Sequence, residues 1–425
     1  MSGEKHCTPP PHSMKPMEDS RDMTDTTKAG TNAADGIVVS PKIPVYGRYT
    51  IWGILLVVLF ALNIFLGSVS IPPVDILQTL TGRGADDTLR YIIFDSRLPQ
   101  AVTAAVTGAG LSVSGLMLQT AFHNPLAGPS VLGISSGASL GVALVMLASG
   151  GALATGCTTS IGGYALVIAS ALCGAMAVTG LLLAMAAAVR NNLILLIAGM
   201  MTGYLISSVI TLLTYNATAQ GIQTYVVWGM GDFSLVTTGQ MPWYALVILI
   251  SISCCMPLVK PLNAMQLGTS YAESLGISVR RLRRSLLLTT GIITAVTTAF
   301  CGPISFLGLA VPHIVRMVTR TDNFRRLMPM TVIAGAVAAL SCNILSTAIT
   351  PNPLPLAAIT PVIGAPVILW VIFKRRCPPK KPPRHQHWMT GDNTGQEHTE
   401  PLSNKNKPRQ RDMAAQMAPN RTNIR

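Results

Sequence analysis

Charge is scarce in this sequence. Asp, Glu, Lys and Arg together make up 11% of its 425 residues, less than half the share of an ordinary soluble domain. Aromatic residues are thin as well, at 5%. A chain so poor in charge cannot clothe a water-facing surface of this size, which excludes a soluble globular protein. Cysteine is present without pattern: the eight cysteines form no C-x-x-C pair and no metal-ligand spacing, so neither a disulfide framework nor a thiolate metal centre is expected. Cys173, Cys254, Cys255, Cys301 and Cys342 fall in or beside apolar runs, where Cys behaves as a small hydrophobe. The chain has no G-x-x-x-x-G-K-[ST] segment, so no phosphate-cradling P-loop is expected on it. The first 45 residues are polar, rich in Pro, Thr, Lys and Asp, and lack the apolar core of a cleavable signal peptide.

What is abundant is hydrophobicity. Hydrophobic residues make up 49% of the chain and mean hydropathy is +0.47. About 20 apolar residues cross a bilayer as a helix, and runs of this kind recur at 51–66, 98–122, 129–147, 161–189, 193–215, 243–259, 285–301, 306–318, 330–346 and 356–373. The pattern predicts an all-α polytopic membrane protein of about ten transmembrane helices. The net charge of +14 invites a nucleic-acid reading. The placement of the bases argues for topology instead. Arg190, Lys260, Arg280 to Arg284, Arg316 to Arg326 and Lys374 to Arg376 all fall on one side if the spans alternate. Only Arg83, Arg90 and Arg97 fall on the other. Basic loops stay in the cytoplasm, so both termini are expected there, in an inner-membrane protein with an even number of spans. The expected organisation is a disordered tail over 1–46, a transmembrane domain over 47–374, and a disordered basic tail over 375–425, both tails cytoplasmic. His385 and His387 belong to that last tail and are read as solvated.

Two stretches interrupt the apolar pattern with glycine and proline. One covers 96–141 and contains His123-Asn124-Pro125; the other is CGPISFLGLAVPHIVR, 301–316. Irregular backbone at membrane depth must be buried in protein or line a path. Both stretches run helix, Gly/Pro break, Gly-containing helix, in opposite orientations, as in the inverted repeats of transporters. The expected spans hold no acid, no lysine and no His–carboxylate pair, which argues against a proton-coupled carrier. Asn63 and Asn343 are expected to hydrogen-bond between helices. Gly108, Gly110, Ser112, Ser114 and Gly115 are expected to let neighbouring helices approach closely.

The loop over 263–285, NAMQLGTSYAESLGISVRRLRRS, is different. Its sequence predicts a short helix near 270–275 stopped by Gly276, followed by Arg280 to Arg284. Such a helix–Gly–helix element, with Glu273 inside it, suits docking into a groove on a partner.

These features in this order resemble the FecCD family of ABC importer permeases. The carrying segments are RLP at 97–99, GLMLQTAFHNPLAGPSVLGISSGA at 115–138, WGMGDFS at 228–234, YAESLGISVRRLR at 271–283, GPISFLGLAVPHIVR at 302–316 and IGAP at 363–366. The resemblance covers about 51–373 and implies the type II ABC importer permease fold, used as a homodimer or paired heterodimer with the path between subunits. It also implies two ATPase subunits that hold ATP and Mg, an extracytoplasmic binding protein, and no cofactor or catalytic site on this chain. By that resemblance Ala272, Glu273, Ser274, Leu275, Gly276, Arg280, Arg281 and Arg283 meet the ATPase. Arg97 is implied to dock the binding protein; Arg83 and Arg90, in the preceding outer segment, are expected to compensate if outer charges there are fewer. Asn191 and Asn192 sit at the cytoplasmic gate. Asn124, Pro125, Gly133, Ser135, Gly137, Gly302, Pro303, Phe306 and Gly308 line or hinge the path. The implied cargo is a ferric siderophore, haem or cobalamin. No residue here is expected to coordinate the metal, and His123 and His313 are read as structural.

Three positions depart from the family pattern. Gln100 stands where a second arginine is common, Asn343 and Thr347 where an acid and an arginine are common, and Pro353-Leu354-Pro355 where Glu-Leu-Pro is usual. Weaker electrostatic docking at the outer face is the expected consequence. The rival readings are an ATP-independent secondary transporter of a metal chelate, and a membrane anchor without transport.

Overall fold

The structure is a computed structural model. It describes residues 45–67, 69, 71–82, 86–147, 161–189, 191–349 and 353–375. The two expected tails, Arg83 and Arg190 lie outside these residues, apart from the first and last helical turns.

Among the described residues the chain is helical throughout, with no strand. In order, the helices are α1 (Val45–Phe65), α2 (Pro73–Leu80), α3 (Asp87–Tyr91), α4 (Leu98–Ala121), α5 (Ile134–Met146), α6 (Ile161–Ala188), α7 (Asn192–Tyr215) and α8 (Ala219–Gly229). There follow α9 (Met241–Cys255), α10 (Val259–Gln266), α11 (Thr269–Ser274), α12 (Val279–Cys301), α13 (Leu307–Thr319), α14 (Phe324–Ala348) and α15 (Leu356–Arg375). Seven helical stretches are long and apolar enough to cross a membrane, and α5, α13 and most of α15 add three shorter apolar helices. These ten match the ten expected runs. The two shortest, α5 and α13, have 13 residues each. At 1.5 Å per residue they cover roughly 20 Å, short of a full crossing. Each begins inside one of the two Gly/Pro stretches, directly after its break.

The centre of the bundle is α4. Its spanning stretch, Asp87–Ala121, has 83% of its apolar window buried, against 6% for Gly47–Phe65. Helices α9, α12, α13 and α14 pack around it. Small residues permit this crowding. A Cβ added to Gly108 would lie 2.1 Å from the Gly335 carbonyl oxygen of α14, and one added to Gly115 would lie 1.6 Å from that of Gly308 on α13. On the other side of the bundle α5 crosses α6 in the same way, Gly141 against Ser170 and Gly137 against Gly174. Without a hydrophobic force between helices in lipid, such close backbone contact is what makes association favourable.

The structure differs from expectation at three boundaries. The seventh crossing starts at Val279 rather than 285, because Ser278 caps it by accepting from the Arg281 N–H at 3.4 Å. The arginines expected in a loop therefore lie on the first turns of α12. The second crossing is continuous from Asp87, through a π-helical turn over Ile92–Arg97. The connection after α7 carries a helix of its own, α8, capped by Thr218.

Candidate functional site

At the basic end of the bundle, α9 continues through a 3-10 turn into α10, and α11 follows directly. Asn263 of α10 accepts from the Phe324 N–H at 2.8 Å, which anchors this element to α14. Ala272 is fully buried and roots α11. Its other residues face outward: Glu273, Ser274, Leu275 and Gly276 are all exposed. Gly276 adopts the left-handed conformation, φ +78°, and the N–H groups of Gly276 and Ile277 return to the carbonyls of Glu273 and Ala272 at 2.9 and 3.0 Å. That is the expected glycine stop. Leu267, Tyr271 and Leu275, spaced four apart, are 70%, 47% and 57% exposed. Leu267 precedes α11 across Gly268, Tyr271 lies on it and Leu275 ends it, so three large apolar side chains are uncovered on and beside this short helix.

The arginines that follow part company. Arg280, Arg281 and Arg284 are exposed, whereas Arg283 is 4% exposed. Its Nη1 donates to Asn192 Oδ1 at 2.9 Å, and its Nη2 to the carbonyls of Ala186 and Val189, both at 2.8 Å. Asn192 in turn donates from Nδ2 to the carbonyl of Ala121, the last residue of α4, at 2.9 Å. Asn191 caps α7 by accepting from the Leu193 N–H at 2.9 Å. The structure thus joins residues expected at two separate places, the coupling loop and the gate. Nothing in the spacing of 192 and 283 announces this contact.

The path residues fall into two breaks. After α4 the chain turns at His123, φ +49°. Asn124 and Pro125 follow, with Asn124 Oδ1 accepting from the Leu126 N–H at 2.9 Å. The His313 Nε2 donates to the Pro125 carbonyl at 2.9 Å and the His123 Nε2 to that of Met265 at 3.0 Å. Both imidazoles are tied to backbone. Gly133, φ +78°, opens α5 so close to α7 that an added Cβ would lie 3.0 Å from the Gly199 carbonyl oxygen. Ser135 lies within 3.5 Å of the Thr298 hydroxyl of α12. In the second break, Gly302 packs on the backbone of Trp228 and Gly231, Pro303 follows, and Phe306 opens α13 in the left-handed region at φ +67°. For an aromatic residue that conformation is strained. Its ring lies against Gly364 of α15, where no side chain intervenes.

Ser135 and Pro303 meet at one cavity of about 420 Å³, whose other lining includes Ser136 and Ser139 of α5, Ser207, Thr211 and Thr214 of α7, and Tyr225 of α8. It carries many hydroxyls and no charge. The α7 residues were missed from sequence. Their i, i+4, i+7 spacing on one helical face is the signal by which sequence could have found them.

Of the residues expected at the outer face, Arg97 is buried, at 6% exposed. Its Nη1 donates to the carbonyls of Ile64 and Phe65 at 2.8 and 3.1 Å, and its Nη2 to that of Val69. Arg97 ends the π-helical turn, and its guanidinium ties down the end of α1 and the chain just after it. Arg90 is exposed; Arg83 lies outside the described residues. The departures at 100 and 343 prove to be partners of each other. Gln100 Nε2 donates to Asn343 Oδ1 at 3.1 Å, and Asn343 Nδ2 donates to Asn63 Oδ1 at 2.8 Å. Asn63 Nδ2 returns to the Leu59 carbonyl at 2.8 Å. A chain of neutral amides binds α1, α4 and α14.

Residues 55–374 match the model of the FecCD transport family. The chain belongs to that family. Among its FecCD relatives is the hemin transport system permease protein HmuU of Yersinia pestis, 32% identical over 76% of this chain and 94% of the relative. Another is the vitamin B12 import system permease protein BtuC of Klebsiella pneumoniae, 33% identical over 76% and 92%. A solved structure of an inward-facing metal-chelate type ABC transporter superposes with a TM-score of 0.66 at 26% identity, covering 77% of this chain and 99% of that one. The chain is therefore a multi-pass transport permease with the all-helical fold of an ABC transporter subunit. These relatives do not favour the secondary-transporter reading.

Proposed function

We propose that this chain is the permease subunit of an ABC importer that carries haem, cobalamin or a ferric siderophore across the inner membrane. The observation that carries the reading is the exposure of three apolar side chains, Leu267, Tyr271 and Leu275, on and beside α11, around Glu273 and the Gly276 turn at the basic end of a FecCD chain. Large apolar side chains left uncovered together on such an element mark a docking face. Its occupant is an ATPase pair, which holds ATP and Mg; this chain takes part in no covalent step. ATP binds one state of that pair more tightly, and the difference in affinity shifts the permease between outward- and inward-open arrangements.

The basic clusters of the loops support cytoplasmic termini. The hydroxyl-lined cavity supports a second copy. Ser207 and Thr211 are exposed on one face of α7, and the cavity opens there. A second subunit across this face of α7 would cover the hydroxyls and enclose the path. At the outer face, Arg90 and Arg83 remain as cationic contacts for a binding protein, since Arg97 is turned inward.

The test is reconstitution of the chain with its ATPase pair in proteoliposomes, with ATP inside or outside and with haemin, cyanocobalamin or ferrichrome presented by the binding protein. ATP-dependent accumulation of one of these is expected. Accumulation against a gradient without the ATPase would overturn the reading.

A further inference from the structure

We propose that Arg283 is the positioning residue that carries movement of the α10–α11 element to the start of α7 and the end of α4, with Asn192 as its receiver. This rests on the reading of α11 as the helix that meets the ATPase. Four arginines follow Gly276 within the first turns of α12, and three of them are exposed. Arg283 alone is turned in. Helix α12 is continuous from Val279, so Arg283 moves as one body with the turns that adjoin α11.

The grip at its far end reaches two helices directly. The carbonyls of Ala186 and Val189, each 2.8 Å from Nη2, lie at the end of α6. Terminal carbonyls there lack partners within the helix, and a cation suits the negative end of the helix dipole. The amide of Asn192, 2.9 Å from Nη1, begins α7. Because the same amide donates to Ala121 at 2.9 Å, displacing Arg283 displaces the end of α4 as well. The planar, forked guanidinium holds acceptors on two segments from two separate nitrogens; an ammonium's three donors share one nitrogen on a shorter side chain and do not span the same acceptors in that fixed geometry. Charge-assisted hydrogen bonds out of water are also among the stronger ones available. Among the described residues expected at the coupling and gate positions, Arg283 and Asn192 are joined by a side-chain hydrogen bond.

The experiment is hydrogen–deuterium exchange on the full complex, permease with its ATPase pair in nanodiscs, with and without a non-hydrolysable ATP analogue. Local opening is read directly by amide exchange. In the wild type the nucleotide is expected to change exchange both at 269–276 and at 192–196. Arg283→Lys and Asn192→Leu are expected to keep the first response and lose the second. Asn192→Asp retains an acceptor for the guanidinium and is expected to keep both. Thermal stability is measured in parallel, because a merely structural contact would lower stability while leaving the response at 192–196 intact. That pattern in Arg283→Lys and Asn192→Leu overturns the proposal, as does a wild type that responds at 269–276 alone. A wild type with no response at 269–276 overturns the ATPase-docking reading itself, and this inference with it.

Discussion

The amide chain of Gln100, Asn343 and Asn63 offers a stringent test of how the outer half of the bundle is held. Asn343 is 3% exposed, its Oδ1 accepts from Gln100 at 3.1 Å, and its Nδ2 donates to Asn63 Oδ1 at 2.8 Å. Asn343→Asp alters no shape but replaces that donor with an oxygen facing an oxygen, and adds a buried charge. A buried charge left without its partner costs about 3–5 kcal/mol. Gln100→Arg alone inserts a longer cationic side chain beside a neutral amide, at roughly 1–3 kcal/mol for overpacking. Combined, the two changes set a guanidinium against a carboxylate across the same gap, the charge pattern more usual in the FecCD family at these positions. The coupling between neighbouring residues should then recover about 1–3 kcal/mol. The assay is the apparent unfolding temperature of the four proteins in one detergent, where each kcal/mol shifts the midpoint by roughly 2–4 °C for chains somewhat shorter than this. The double variant is expected to melt above Asn343→Asp. If the two effects add to within about 0.5 kcal/mol, or if Asn343→Asp melts with the wild type, the amides do not act as a unit and the argument fails.

Three further outcomes follow from the geometry. Arg97→Ala strips the donor from the carbonyls of Ile64 and Phe65 at the end of α1 and of Val69 just beyond it; at about 1.5–3 kcal/mol for each of three charged hydrogen bonds it should cost on the order of 4–5 kcal/mol or more, and leave the salt dependence of binding-protein association unchanged. A stable variant whose association loses its salt dependence would restore Arg97 to the docking surface. Gly276→Pro forces φ near −65° where the chain holds +78°, so ATP hydrolysis by the complex should persist while uptake falls; Glu273→Arg should do the same, and normal uptake by both would remove α11 from coupling. Thr211→Cys, on the exposed hydroxyl face of α7, should cross-link between copies of the chain in membranes, and a failure to cross-link under conditions where neighbouring α7 positions also fail would count against a shared path there.

The crossings were legible because lipid imposes a simple rule. A helix in hydrocarbon must be apolar for its whole depth, so composition alone located ten runs. The left-handed stop at Gly276 was legible for a similar local reason, since glycine adopts that conformation without a Cβ clash. The start of α12 was misjudged by six residues, Val279 against 285, because a run of arginines is legible as charge and not as helix, while the cap at Ser278 decides the boundary. The hydroxyl cavity assembles from three helices and the two Gly/Pro breaks, and only their packing brings it together.

Arg97 and Arg283 mark the divide most clearly. From the linear chain both are cations just outside an apolar run, and nothing distinguishes them from Arg90 or Arg281. Amino-acid order by itself determined a helical membrane permease, its spans, and the family signature along most of its length. Tertiary structure decided which arginines face water and which close on backbone carbonyls, and that Gln100 and Asn343 are partners. The physical reason is range. Hydropathy and glycine stops act within a few residues of the chain, whereas a guanidinium or an amide takes its role from acceptors that lie far off in sequence, such as those Arg283 finds at 186, 189 and 192.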